Sequence, residues 1–352
     1  MNAFQLDCGR MYFSCDEILT FAETMAEAGF DTLILAFGNE GCRFLLDDMK
    51  IDSDSGVYDS DRVKNAVSKG NRDFRNCSRN ELTQAEMEKI ICFCKERNIQ
   101  IIPLLNTPGH MSALLTAMEE LGICNVRYEN SRTTVDLSNK AAVDFLEKLL
   151  EKYISWFAKI GCSYFHLGCD EYANDVLHNG FKSLQNKENY GYGAFVDYVN
   201  RQAKKVLEYK LIPVMFNDGM YYDQAGEEEI FIPEIICAYW SKGWPGYELA
   251  AAQKIAAHGH KILNTHNGWY YVLGRHNGLP CNQDFTIEKA LAGAKNIPAD
   301  EVAKCGKMEV CGKVVCLWCD EPAVLTDEEM DCVKNVIIAA GKNNGGVKQY
   351  EI

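Results

Sequence analysis

Short apolar runs alternate along the chain with longer amphipathic stretches. Eight runs rich in β-branched and aromatic residues predict strands at residues 4–7, 32–37, 99–105, 164–167, 212–216, 235–239, 261–264 and 314–318. The stretches between them repeat apolar residues at helical spacing, and Thr83 with Glu86 predicts a capping box at one helix start. Strands that alternate with helices in this way are typical of βα units around a parallel sheet.

The predicted helices cover residues 15–28, 138–159, 192–208, 247–258, 286–294 and 327–340, and a further helix starts after Thr83. The fifth crossover, residues 218–233, contains two glycines and three consecutive glutamates, so we expect a loop in place of a helix there. Eight strands in one unbroken series favour a single (β/α)8 TIM barrel of the α/β class, with a weak or missing helix after the fifth strand. A doubly wound sheet fits less well, because no Gly-rich phosphate turn follows the first strand.

Length and composition agree with a barrel. The 352 residues would allow two domains, but the eight strands occupy nearly all of them and no Pro/Ser-rich linker breaks the series. With 47% hydrophobic and 24% charged residues, the composition excludes a disordered chain. We therefore expect one catalytic domain over residues 1–352.

Charge and cysteine content limit the binding partners and the cellular compartments that suit this chain. The net charge of −14 disfavours nucleic acid and anionic membrane surfaces as partners. No apolar run approaches the ~18 residues of a membrane span, and the first residues do not resemble a signal peptide. The sixteen cysteines are scattered singly, which is typical of reduced thiols. We expect a cytoplasmic protein, although a catalytic module cut from a secreted or surface protein would also lack a signal.

Polar and aromatic side chains follow the predicted strands, where the βα loops of a barrel carry its chemistry. Asp170 and Glu171 come directly after the fourth strand, and charged groups at the end of a buried strand are mostly functional or paired. The other side chains in such positions are Arg10, Asn106, His110, Asn217, Trp240, Trp244, Trp269, Tyr270, Trp318 and Asp320. Planar donors, carboxylates and aromatic faces are what a sugar ring needs, whereas the loops of a phosphate site would be rich in glycine and lysine.

Each of these signals is weak when taken alone. The Asp-Glu pair also occurs at residues 16–17, 300–301, 320–321 and 327–328, where solvated helix starts or loops explain most cases. A single tryptophan near the rim is as easily a core residue as a ligand contact. Cys316 and Cys319 have zinc-like spacing but lie in or beside a strand, with no second Cys/His pair, so we interpret them as core and predict no metal site.

Three segments together resemble the family 20 glycoside hydrolases, the β-N-acetylhexosaminidases. They are residues 6–10 (LDCGR), 102–110 (IPLLNTPGH) and 166–171 (HLGCDE). Residues 216–219, 239–244 and 269–274 are similar in particular to catalytic modules of bacterial exo-β-N-acetylglucosaminidases of the streptococcal surface type. The resemblance extends from about residue 4 to residue 322 and implies the same (β/α)8 barrel as the strand pattern.

The resemblance implies an exo-acting, retaining hydrolase that removes terminal β-linked N-acetylglucosamine or N-acetylgalactosamine from an oligosaccharide or glycoconjugate, without cofactor or metal. Glu171 would be the general acid, and Asp170 would orient the 2-acetamido group, whose carbonyl oxygen attacks the anomeric carbon in place of an enzyme nucleophile. We further expect Glu171 to be protonated at rest, helped by the like charge of Asp170.

The resemblance also implies the sugar-binding residues. Arg10 would bind the C3 and C4 hydroxyls, Asp320 the C4 or C6 hydroxyl, and Tyr270 (or Tyr271) the acetamide oxygen. Trp240 and Trp318 would form walls of the acetamide pocket. His110 and His166 would tune the two acids.

Three positions depart from the family pattern. The family usually has Gly at Cys169, Asp at Asn106, and a Trp near Asn217. We expect the Cys169 change to be harmless and the Asn106 change to alter the surroundings of His110. Trp244 or Trp269 would have to fill the gap left by the missing tryptophan.

Two other classes of function stay open. A metal-dependent barrel hydrolase would use His166, Asp170 and His110 as ligands. A non-catalytic glycan-binding barrel would keep its aromatic walls but lose the acid, and the intact Asp170-Glu171 pair argues against it. The sequence does not determine the preferred sugar, the linkage or the oligomeric state.

Overall fold

Eight parallel strands close into a barrel in the computed structural model, as the alternation predicts. The structure describes residues 1–76, 79–177, 191–221, 230–244, 247–276, 279–281, 286–296, 308–320 and 326–342. The barrel strands are β1 (Asn2–Leu6), β2 (Thr32–Asn39), β3 (Gln100–Thr107), β4 (Tyr164–Gly168), β5 (Ile212–Phe216), β6 (Ile236–Tyr239), β7 (Ile262–Asn264) and β8 (Val310–Trp318). Each pairs with the next in sequence, and β1 pairs with β8 to close the ring.

The described helices lie between the strands. They are α1 (Cys15–Glu27), α2 (Ser60–Phe74), α3 (Gln84–Glu96), α4 (Ser112–Glu120), α5 (Lys140–Lys159), α6 (Tyr192–Glu208), α7 (Ala252–Ala257), α8 (Ile287–Asn296) and α9 (Asp327–Lys342). The predicted capping box at Thr83 is confirmed, since its side chain accepts the N–H of Glu86 and Glu86 reaches back. The N-cap of α5 is Asn139, one residue after the predicted start at Ser138.

Other local predictions need correction. The sequence pattern missed α2 and α4, and the helix predicted at 247–258 is only the six-residue α7, preceded by the short strand Tyr247–Glu248. The loop predicted at 218–233 has no helix in its described parts, 218–221 and 230–233, and its middle lies outside the described residues.

Shorter strands and 3-10 turns lie in the connections between the barrel elements. Tyr270–His276 pairs in parallel with the end of β8, so it continues the line of β7 after the 3-10 turn Asn267–Trp269. The remaining short elements are Gly41–Cys42, Ile51–Ser53, Gly56–Tyr58, Gly243–Trp244, Leu279–Cys281 and the 3-10 turn Tyr128–Asn130.

Alternation along the strands produces two separate cores. Inward residues such as Ile34, Leu104 and Phe216 fill the barrel, while outward residues such as Leu33 and Leu35 pack under the helices. The last inward positions of several strands are polar or aromatic, and these line the mouth at the carboxyl ends.

Two global properties bear on the setting. Thirteen cysteines have side chains that the structure describes, and all thirteen are free thiols. In the same part of the chain, no helix has both the length and the apolarity to cross a membrane.

Candidate active site

The two acids lie on a tight turn that directly follows β4. Gly168 ends the strand with φ +74°, and a Cβ there would lie 2.0 Å from Asn106 Oδ1, so only glycine fits. The turn is held from β3: Asn106 Oδ1 accepts the Cys169 N–H at 3.0 Å, and Asn106 Nδ2 donates to Asp170 Oδ1 at 2.6 Å. Asp170 is thereby fixed, while the Glu171 side chain remains 37% exposed at the mouth.

A buried imidazole connects the acids to a third carboxylate. His110 Nε2 lies 3.2 Å from Glu171 Oε2 and 3.6 Å from Asp170 Oδ2, and its Nδ1 lies 2.7 Å from Glu40 Oε1. Glu40 also accepts from the hydroxyl and the backbone N–H of Ser112. Both ring nitrogens therefore face carboxylate oxygens.

This geometry decides the charge of the acids. Burial works against a charged imidazole, but Asp170, Glu171 and Glu40 outweigh it and raise the pKa of His110 well above its usual range. Burial would raise the pKa of Glu171, but the hydrogen bond and charge of His110 prevail and lower it. These two directions contradict the expectation that Glu171 is protonated at rest: the pKa of Glu171 is lowered, while the pKa of His110, 3.2 Å away, is raised.

The other carboxylate of the pair behaves differently. Burial raises the pKa of Asp170, opposed by the charge of His110 and assisted by that of Glu171. Asp170 is also the last member of a hydrogen-bonded row across the ends of four strands, β1 to β4, in which Asn106 Nδ2 lies 3.3 Å from Asn39 Oδ1 and Asn39 Nδ2 lies 3.2 Å from Asp7 Oδ1. The Asn106 amide thus contacts Asp170 and Asn39, whereas the departure from the family pattern led us to expect an effect near His110.

Arg10 lies at the start of this row, between two carboxylates. Its Nη1 is 3.3 Å from Asp7 Oδ2 and 3.1 Å from Asp320 Oδ1, and its guanidinium carbon lies 5.6 Å from the ring centre of Trp318. The guanidinium is thus fixed in position at the mouth, with Asp320 half exposed beside it.

Two further arginines support the backbone that carries Arg10. Buried Arg43 donates to the carbonyls of Gly9, Asn80 and Arg75. Arg75 donates in turn to the carbonyls of Arg10 and Asp320, at 2.7 and 3.2 Å. The end of β1 is therefore bound to the end of β8 through side-chain to backbone hydrogen bonds.

An aromatic wall stands across the mouth from the acids. Trp240 and Tyr270 stack with ring centres 6.4 Å apart and an angle of 18°, and Tyr270 meets Trp318 edge to face at 5.6 Å. Tyr271, the alternative to Tyr270, is buried in the outer core. The side chains of Trp240, Tyr270 and Trp318 therefore form one continuous surface.

A carboxyl that the sequence reasoning did not select lies between the acids and this wall. Asp218 follows β5 and is 1% exposed; its Oδ2 accepts the backbone N–H of Glu171 at 2.6 Å, and its Oδ1 accepts the Trp240 indole N–H at 3.1 Å. Burial and the nearby charge of Asp170 raise the pKa of Asp218 to about 8.

Several predicted site residues lie elsewhere. Asn217 is fully buried, and its amide binds the backbone: Oδ1 accepts the Trp240 N–H, and Nδ2 donates to the Ser241 carbonyl. The prediction that Asn217 contacts the sugar is therefore wrong. Trp269, 2% exposed, packs in the core outside the barrel and cannot serve as a sugar wall. The side chain of Trp244 lies outside the described residues.

His166 faces the barrel interior below the acids. Its Nδ1 accepts the Gly168 N–H at 3.0 Å, its ring packs on Phe216, and burial lowers its pKa to about 3. Among the residues that the structure describes, no three His, Cys, Asp or Glu side chains are grouped to hold a metal ion.

Glu40 and Asp218 are the functional residues that the sequence reasoning missed. Both are charged residues directly after buried strands, the same signal that selected Asp170 and Glu171. Applying that criterion equally to every strand would have found them.

The comparison with known families agrees with this site. The sequence profile of the glycosyl hydrolase family 20 catalytic domain matches residues 2–331. The chain belongs to glycoside hydrolase family 20. The resemblance drawn from the three segments is confirmed, and so are the single (β/α)8 barrel and the glycoside hydrolase class.

Two solved structures are similar to this family 20 member. Catalytic modules of StrH, described as the pneumococcal exo-β-D-N-acetylglucosaminidase, superpose with a TM-score of 0.89 at 35% identity, covering 97% of this chain and 83% of that one. Dispersin B superposes with a TM-score of 0.70 at 19% identity over 98% of this chain and 99% of that one, which supports the fold alone.

Curated relatives match over shorter stretches. Lacto-N-biosidase of Bifidobacterium bifidum is 23% identical over 197 residues, and N,N'-diacetylchitobiase of Vibrio harveyi is 22% identical over 212 residues. These alignments cover 54% and 53% of this chain but only 17% and 24% of the relatives. The chain thus corresponds to a fraction of their length.

Proposed function

We propose that this chain is an exo-acting β-N-acetylhexosaminidase that removes terminal non-reducing β-linked N-acetylglucosamine, or N-acetylgalactosamine, from oligosaccharides or glycoconjugates. The observation that carries the proposal is the adjacency of Asp170 and Glu171 on one turn, with His110 within 3.6 Å of both. Two carboxylates that act as nucleophile and acid must flank the anomeric carbon, whereas an acetamide-orienting acid and a proton donor can be neighbours. Identity of 35% to a structure described as an exo-β-D-N-acetylglucosaminidase supports the same substrate class.

In the first step, the acetamide carbonyl oxygen of the substrate bonds to C1 while the bond from C1 to the aglycone oxygen breaks. Glu171 gives a proton to that oxygen, and Asp170 stabilises the charge on the acetamide N–H as the oxazolinium ring forms. In the second step, water attacks C1, its proton goes to Glu171, and the bond from C1 to the carbonyl oxygen breaks. The configuration at C1 is retained because both displacements invert it.

The proton for the first step is stored on His110. Its Nε2 faces Glu171 while Nδ1 is bound to Glu40, so a proton can move from Nε2 to the Glu171 carboxylate without reorienting the ring. An aglycone that covers Glu171 removes water, and a dry site favours the neutral pair over the ion pair. Glu40 keeps Nδ1 protonated throughout.

Sugar recognition follows from the fixed groups at the mouth. Arg10 presents planar donors to vicinal hydroxyls, with Asp320 as the acceptor beside it. Trp240, Tyr270 and Trp318 provide the surface against which the acetamide methyl and the apolar face of the ring pack. The reducing compartment predicted from the cysteines stays a prediction.

The proposal is tested by release of chromophore from an aryl β-N-acetylglucosaminide, with an aryl β-glucoside in parallel. We expect turnover of the first substrate only, because the glucoside has no acetamide to act as nucleophile. Glu171→Gln and Asp170→Asn should each lose activity by a factor on the order of 10² or more. Efficient cleavage of the glucoside, or full activity of Glu171→Gln, would overturn the mechanism; loss of activity with a chelator would favour a metal-dependent hydrolase.

A further inference from the structure

The turn that carries the acids has an unusual backbone. Cys169, Glu171 and Ala173 have φ values of +67°, +47° and +57°, so every second residue after Gly168 is a non-glycine in the left-handed region. A non-glycine residue in this region is strained, and it persists only where its surroundings hold it. The position of Glu171 therefore depends on contacts from outside the turn.

Those contacts form a regular set. Each of the three left-handed residues donates its backbone N–H to a side chain from a different part of the barrel mouth. The bonds are Cys169 to Asn106 Oδ1 at 3.0 Å, Glu171 to Asp218 Oδ2 at 2.6 Å, and Ala173 to Thr134 Oγ1 at 2.9 Å. The middle bond is the shortest and is made by the residue whose side chain performs the proposed chemistry.

Asp218 differs from the other two acceptors because it holds a second functional group. Its other oxygen accepts the indole N–H of Trp240, and Trp240 stacks on Tyr270 in the aromatic wall. Asp218 is 1% exposed, and both of its oxygens are engaged by these donors. One buried carboxyl thus joins the backbone of the acid to the wall on the opposite side of the pocket.

We infer that Asp218 is a positioning residue that fixes the distance between the Glu171 carboxyl and the Trp240 wall, and through it the alignment of the proton donor with the aglycone oxygen. This inference rests on the proposed function. Asp218 acts through Glu171 and Trp240 and needs no contact with the substrate.

Substitution by asparagine tests this role because it removes one of the two acceptor oxygens of Asp218. An amide offers one acceptor atom, so Asp218→Asn must turn an NH2 group toward either the Glu171 N–H or the Trp240 indole. Trp240→Phe removes the indole N–H together with part of the aromatic wall and leaves the bond from Asp218 to the Glu171 backbone. Asp175→Asn is a matched control, since Asp175 binds Ser131 and the Arg132 N–H beside the same turn but accepts from none of the three left-handed residues.

The decisive readout is the dependence of kcat/KM on the leaving group. The 2,4-dinitrophenolate group leaves its glycoside without being protonated, whereas the phenolate group of a phenyl glycoside needs a proton from the acid. For Asp218→Asn we expect kcat/KM on the phenyl substrate to fall by about 10²-fold, the effect of displacing a catalytic group by ~1 Å, and on the dinitrophenyl substrate by less than about 10-fold. Trp240→Phe should lower kcat/KM on both substrates by similar factors, and Asp175→Asn should leave kcat/KM on both substrates unchanged.

A measurement independent of turnover accompanies the kinetics. The indole N–H of Trp240 is observed by NMR, and its resonance is assigned by its absence in Trp240→Phe. This proton should exchange slowly with solvent in the wild type and faster in Asp218→Asn. Equal losses on both glycosides in a folded Asp218→Asn, or a wild-type Trp240 indole that exchanges as fast as an exposed one, would overturn the inference. A wild-type chain inactive on both glycosides would overturn the proposed function itself, and with it this role.

Discussion

The charge of Glu40 sets the pH range in which His110 carries its proton. Glu40 and His110 are both about one-tenth exposed and lie 2.7 Å apart, so solvent screens their attraction only weakly. Because their interaction is reciprocal, a carboxylate that is stabilised by the imidazolium raises the pKa of the imidazolium to the same extent. We expect Glu40→Gln to lower the pH at which His110 loses its proton.

The structure gives the size of the effect. Burial opposes the charge of Glu40, yet His110, Arg10 and Ser112 lower its pKa from 4.5 to about 2. At about 1.4 kcal/mol per pH unit, this corresponds to about 3 kcal/mol of net stabilisation of the carboxylate. Since His110 makes the largest attractive contribution, Glu40→Gln should lower the pKa of His110 by about 2 pH units.

The assay is kcat/KM on an aryl β-N-acetylglucosaminide from about pH 5 to about pH 10. The pKa of His110 is raised, so its proton is lost only well above pH 6.5, and activity should fall on a basic limb there. In Glu40→Gln that limb should move about 2 pH units toward acid. Ser112→Ala removes a neutral donor to Glu40 but keeps the charge, so its limb should stay within about half a unit. A folded Glu40→Gln with an unmoved limb would refute the proton store on His110.

Two further predictions concern residues that support the site. Asn106→Asp keeps the acceptor for the Cys169 N–H but places a carboxylate against Asp170 in place of a donor at 2.6 Å. The acid limb of the kcat/KM profile should therefore move to higher pH by about one pH unit or more. An unchanged limb would show that the titration of Asp170 does not control activity. Arg43→Met removes a buried guanidinium with several carbonyl acceptors and should lower the free energy of urea unfolding by about 3 kcal/mol, whereas Arg201→Met at an exposed ion pair should cost less than about 1 kcal/mol. Similar losses for the two arginine variants would contradict the proposed support of the β1 end.

The sequence predicted the barrel because its strands differ sharply from their surroundings. All eight predicted strands exist, since a strand buried on both faces must be a short apolar run whatever its neighbours are. Helices α2 and α4 were missed for the opposite reason. The α2 sequence is mostly polar with a glycine near its end, and its helical state depends on packing against α4 that no local pattern reveals.

The site was predictable to the extent that it depends on position after a strand. Arg10, Asp170, Glu171 and His110 meet at the mouth because each follows a barrel strand. Which way a side chain points after the strand ends is not periodic, and this is why Trp269 was wrongly placed in the pocket. The lowered pKa of Glu171 depends on a 3.2 Å contact with a residue 61 positions earlier, and no sequence pattern contains that distance.

Closure of the barrel between β1 and β8 links the site to the order of synthesis. Arg10 and Asp320 are 310 residues apart, and the edge of β1 is completed only when β8 pairs with it. At about 5–20 residues per second, Arg10 is synthesised roughly 15–60 s before Asp320. During that interval β1 has an unpaired edge, and the sugar-binding end of the pocket is absent. A chain can therefore become active only after the whole barrel has been translated and β8 has paired with β1.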